Sequence, residues 1–181
     1  MLRTRLTKSA MGLLLPLLAI SLSGCGLTQS ISDGTKSAVS SIFYKKIKVL
    51  RLDFTAREAL NTDAHENNSL SESVVIRVYQ LRDRKTFDKL VYQQLLKDGE
   101  TLLAAELIAS REVVLKPGGD ASLDAPMDPD TQFVAVVGMF RHPDMAKNTW
   151  KLVLQREELD PDKPRVIEAG SNHLALIPVK E

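Results

Sequence analysis

Cys25 is the residue whose neighbours specify a chemistry most directly. It is the sole cysteine, and it follows Leu22-Ser23-Gly24 at the end of an apolar run from Ala10 to Leu22. Arg3, Arg5 and Lys8 precede that run and supply a positive start. A basic n-region, a short apolar core and small residues at the end make a secretory signal. The run is too short for a membrane span, which takes about 20 residues, and Pro16 interrupts it. Small residues placed directly before a cysteine form a lipobox. The sulfur is then expected to carry a diacylglycerol, with Cys25 as the mature N-terminus. An ordinary secretory signal that contains a cysteine by chance is the alternative. Acyl chains bury about 0.8 kcal/mol per CH₂, so several chains on one residue would anchor it for good. Gly26 follows, not Asp. By the sorting rule of enterobacterial lipoproteins, this points to the inner leaflet of the outer membrane.

The remaining reactive side chains do not assemble into a motif. His65, His142 and His173 lie in three separate segments, with no His-Glu-x-x-His and no pair at helical spacing, so zinc has no support. Neither a nucleophile elbow nor a phosphate-cradling glycine loop occurs. Asp128-Pro129-Asp130 and Asp160-Pro161-Asp162 lack the ligand series of a calcium loop and read as turns. A single cysteine excludes a disulfide framework. The 24 basic and 23 acidic residues give a net charge of +1. The segment 1–25 holds three basic residues and no acid, which leaves a faintly acidic remainder and no patch for nucleic acid. The expectation is a binding or scaffolding protein and not an enzyme, with no metal and no cofactor beyond the lipid on Cys25.

The division expected is a lipoprotein signal peptide at 1–24, the lipidated cysteine and a tether at 25–46, and a folded body at 47–181. Residues 26–46 are rich in Ser, Thr, Lys and Gly. They read either as a coil or as a coil ending in a short helix over 36–44. In the body, Leu50, Leu52 and Phe54 alternate with Arg51 and Asp53, which predicts a half-buried strand over 47–54. Thr55 to Ser73 is polar and aperiodic, and so long a connection is usually functional or disordered. Val74 to Leu81 is apolar on both faces and predicts a central strand. Thr86 is the expected N-cap of an amphipathic helix with Phe87, Leu90, Val91 and Leu95 in one stripe, ending before Gly99. Further strands are expected over 112–115, 121–125, 132–140, 150–155, 166–169 and 174–179, with hairpin residues at 170–172. About eight short strands and one helical insertion after the second predict an all-β antiparallel sandwich.

These residues together resemble a known family. The lipobox, Ser-Val-Val-Ile-Arg-Val-Tyr-Gln-Leu at 73–81, Phe87 opening a helix, Leu115-Lys116-Pro117-Gly118, Met139-Phe140-Arg141 followed by Trp150, and Asn172-x-Leu174-x-Leu176 are similar to the TssJ (SciN/VasD) lipoproteins of bacterial type VI secretion systems. Glu72-Ser73 departs from the Ser-Pro common there. The resemblance implies a transthyretin-like sandwich at the outer membrane. It also implies a partner, the periplasmic C-terminal domain of the inner-membrane protein TssM. The family's docking element is the connection between the first two strands, here 55–73. Asn61, Asp63, Glu66, Asn67 and Asn68 are then expected as adaptable hydrogen-bonding contacts, with Leu60 and Leu70 as apolar anchors. Otherwise the segment is a plain insertion. A periplasmic lipoprotein that binds a small ligand or a folding client is the competing reading. An envelope hydrolase would need convergent titratable groups that the sequence does not offer.

Overall fold

The computed structural model describes residues 47–63 and 70–179. The signal segment, Cys25, the tether and Glu66, Asn67 and Asn68 lie outside the described residues. The strands are β1 (Val49–Ala56), β2 (Val74–Leu81), β3 (Leu107–Leu115), β4 (Asp120–Pro126), β5 (Phe133–Gly138), β6 (Lys151–Gln155), β7 (Arg165–Ala169) and β8 (Leu174–Leu176). They form two four-stranded sheets, ordered β4-β1-β7-β8 and β3-β2-β5-β6. The expected sandwich is therefore present, with one departure: β1 and β7 run parallel.

The alternation read in β1 has its cause in this packing. Leu50, Leu52 and Phe54 are buried between the sheets, while Arg51 and Asp53 face outward beside Asp124 and Ser122 of β4. Burying each such apolar side chain contributes about 1.5–3 kcal/mol. β2 is covered on one face by the other sheet and on the other by the helical insertion. Val74, Ile76 and Val78 meet the first sheet's interior, and Tyr79 and Leu81 lie under the helical insertion.

That insertion comprises two helices where one was expected, α1 (Lys85–Lys89) and α2 (Tyr92–Leu102). Leu90 and Val91 between them are extended, and Val91 is 52% exposed instead of lying in the stripe. Two side chains stabilise the break. Lys151 donates to the carbonyls of Phe87, Asp88 and Leu90, and Gln94 accepts from the Val91 N–H. Thr86 is not the N-cap. The Asp83 carboxylate accepts from the Lys85 N–H, and the Thr86 hydroxyl bonds Glu106. Phe87, Tyr92 and Leu95 are buried against the second sheet, with Tyr92 edge-on to Trp150 at 5.1 Å between ring centres.

The pairing registers sort the connections onto two poles. The chain enters β1 at one pole, together with the helical insertion, the β4–β5 connection and the β6–β7 connection. The opposite pole carries the β1–β2, β3–β4, β5–β6 and β7–β8 connections.

Candidate docking surface

The β1–β2 connection is hydrogen-bonded to the other three, to the β3–β4 turn through the Gly118 N–H on the Arg57 carbonyl at 3.3 Å. Asn61 lies at φ 51, in the left-handed region that asparagine tolerates better than most residues. The turn sends Leu60 into the core, where it is 0% exposed, and buries the Asn61 amide. Asn61 Nδ2 donates to the Ser73 carbonyl at 3.1 Å, and its Oδ1 accepts from the Arg141 N–H at 2.8 Å. Leu60 also accepts from the Glu72 N–H at 3.0 Å. Leu60 and Asn61, expected as an apolar anchor and a hydrogen-bonding contact, are thus packed into the connection itself. Leu70, by contrast, is 77% exposed.

Arg141, at the end of the β5 run, crosses to both flanks of the first connection. Its guanidinium donates to the Asn61 carbonyl at 3.1 and 3.3 Å and to the Leu70 carbonyl at 3.4 Å, and it pairs with Glu72 at 3.0 Å. His142 Nε2 lies 3.0 Å from the mostly buried Asp63 carboxylate. From the β7–β8 connection, Asn172 donates to the Thr62 carbonyl at 2.8 Å and Ser171 accepts from the Thr62 N–H at 3.2 Å. The result is a braced surface with two open concavities. One, of about 500 Å³, is lined by Tyr92, Arg141, His142, Pro143 and Met145. The other, of about 380 Å³, lies between Asp144, Lys147, Thr149 and His173. Asn172 borders both.

Arg141, His142 and Asn172 were not singled out as site residues, although Arg141 and Asn172 stood in segments that carried the resemblance. An arginine directly after a strand that is apolar on both faces is a usable signal, because such a strand ends where backbone carbonyls need donors. The wall of the larger concavity is tied to the core through Tyr92, whose hydroxyl donates to the Phe140 carbonyl. Burial pushes the Tyr92 phenol above its ordinary value. Among the described residues, no three or more His, Cys, Asp or Glu side chains are grouped to hold a metal ion. The surface offers mixed charge, backbone polarity and two exposed apolar side chains, Leu70 and Met145. That composition suits protein recognition.

A helix-capped β-sandwich with braced loops at one pole is the class that the geometry defines. Residues 48–174 match the model of the type VI secretion lipoproteins, described as VasD, EvfM and TssJ. The chain belongs to that family. Among solved structures, a chain from one described as the "T6SS protein TssM C-terminal domain (869-1107) from EAEC" is 46% identical. The match covers 74% of this chain and 100% of that one, with a TM-score of 0.66. A chain from a "Type VI membrane complex" is 47% identical over the same shares, with a TM-score of 0.68. Lip of Serratia marcescens, a membrane-bound component of the type VI secretion system, is 22% identical and shares the fold, with a TM-score of 0.63 over 72% of this chain and 98% of that one. No curated protein gives a significant match.

Proposed function

We propose that the protein is an outer-membrane lipoprotein, acylated at Cys25, whose sandwich holds the periplasmic C-terminal domain of TssM. It acts as a tether and not as an enzyme, and the covalent lipid is its only non-protein group. One observation carries the reading. The braced pole with exposed Leu70 lies opposite the pole where the chain enters at Ile47, so anchor and partner would attach in line. The two solved relatives near half identity support it, since they come from structures described by TssM and by the type VI membrane complex. Docking uses Leu70 and Met145 as apolar contacts, with Asp63 and Glu72 beside them.

Calorimetry on residues 47–181 and the TssM periplasmic domain tests the surface. Leu70→Ala should weaken binding by about tenfold, about 1.4 kcal/mol. Its melting temperature should stay unchanged, because truncating an exposed side chain costs little stability. Unchanged affinity would move docking elsewhere on the sandwich. Cys25→Ser should abolish palmitate labelling and leave the precursor unprocessed by the lipoprotein peptidase; labelling that persists would sink the anchor assignment.

A further inference from the structure

Resting on that docking reading, we infer that Arg141 is a positioning residue of the docking surface: it clasps both flanks of the first connection, sets how Leu70 is presented, and does so without touching the partner itself. Its guanidinium makes four contacts within this chain, two to the Asn61 carbonyl and one each to the Leu70 carbonyl and the Glu72 carboxylate, and its own N–H is taken by Asn61 Oδ1. The contacts to residues 70 and 72 come from the same planar group that holds residue 61. The separation of the flanks is therefore fixed by a rigid fork and not by a flexible stem. The neighbouring braces do less. His142–Asp63 and Asn172–Thr62 reach the first flank alone. The Glu72 N–H bond to the Leu60 carbonyl ties the flanks to each other alone, whereas the Asn61 amide, set between the Ser73 carbonyl and the Arg141 backbone N–H, reaches the β5–β6 connection only at the main chain. Arg141 joins all three parts. An exposed leucine on a held backbone binds better than one on a free loop, because ordering is completed before the partner arrives.

The guanidinium also explains why lysine is a poor substitute here. An ammonium is a point donor and cannot face two carbonyls and a carboxylate in one plane. If Arg141 served instead as a positive charge for an acidic patch on the partner, lysine would preserve most of the effect.

The test combines binding with amide hydrogen exchange on residues 47–181. R141A and R141K should each weaken TssM-domain binding by about tenfold, the scale of ordering a side chain and its loop on binding. L70A should then cost little more in the R141A background than R141A costs alone, which is the non-additivity of residues acting as a unit. Exchange should speed up at the amides of residues 61–62 and 70–72 while those of β2 and β5 stay protected. Additive losses, full activity of R141K, or unchanged exchange at the flanks would overturn the clasp. If the wild-type body fails to bind the TssM domain, the function proposed above falls, and the exchange measurement alone decides the clasp. If R141A does not fold, R141K carries both arms.

Discussion

Gln80 offers a sharp test of what holds the sandwich closed at its entry pole. It is the penultimate residue of β2 and is almost wholly buried. Its Nε2 donates to the Pro126 carbonyl at 2.8 Å, and its Oε1 accepts from the Asp128 N–H at 3.1 Å and the Thr131 hydroxyl at 2.9 Å. One amide thus fastens the β4–β5 connection over the end of the second sheet. Gln80→Leu keeps the volume and removes all three bonds. The Thr131 hydroxyl is fully buried, and leaving it unpaired costs about 1–3 kcal/mol. The two backbone groups lie nearer water, so each loses only the net value of a bond, about 1 kcal/mol. The expected loss is about 4 kcal/mol, or roughly 16 °C in Tm for a domain of this size. Urea unfolding followed by circular dichroism should show the midpoint fall with an unchanged slope. Thr131→Val should cost about 1 kcal/mol in the wild-type background. In the Gln80→Leu background it should instead recover stability, because it removes the orphaned hydroxyl. A loss below about 1 kcal/mol for Gln80→Leu, or Thr131→Val that destabilises both backgrounds equally, would refute the reasoning.

Gly99 of α2 has no room for a methyl group: a Cβ there would lie 2.5 Å from the Tyr79 hydroxyl oxygen. Gly99→Ala should cost about 1–3 kcal/mol in urea unfolding, and Tyr79→Phe, which deletes that oxygen, should restore much of it. The buried Tyr92 phenol has its pKa raised above 10.0. Its contribution is therefore complete below pH 10 and is lost as pH rises through the higher folded-state value. Lys151 acts with the opposite sign, since burial lowers its pKa from 10.5 and stability is gained as pH climbs through its folded value towards 10.5. Tyr92→Phe should flatten the alkaline fall of the urea midpoint above pH 10; an unchanged slope would assign that fall to other groups.

Much of the fold could be read from local pattern where a segment is buried on one or both faces. β2 runs over Val74–Leu81 as expected, because a strand covered on both faces carries apolar residues on both. β3 was expected only over 112–115, yet it runs from Leu107. Its first half, with Ala109, Ser110 and Arg111, is an edge whose partner is β2, so pairing and not pattern makes it a strand. The parallel β1–β7 contact joins segments that are over 100 residues apart, which no local period can report. The break between α1 and α2 follows from Lys151, a residue of β6. The same physics hid the site. Asp63 and Leu70 sit near the surface that the polar connection suggested, but Leu60 looked like a free anchor until the turn at Asn61 placed it inside. The Asp-Pro-Asp segments were legible as turns because the first aspartate's own carboxylate closes each one, onto the N–H groups of Asp130 and Asp162.

The position of β1 has a mechanical consequence. It is an inner strand, paired along Val49–Thr55 with β4 and along Leu52–Ala56 with β7. Its hydrogen bonds lie across the strand direction. A force applied to the chain where it enters at Val49, and resisted at the far pole, runs along β1 and shears both rows of bonds at once. The C-terminal end offers no such grip. β8 is three residues long and sits at a sheet edge, so the same pull there loads a single short row of pairs. Forced unfolding is governed by the barrier to rupture. A single-molecule pull between residue 47 and the β3–β4 turn should therefore rupture at higher force than one between residue 179 and the same turn.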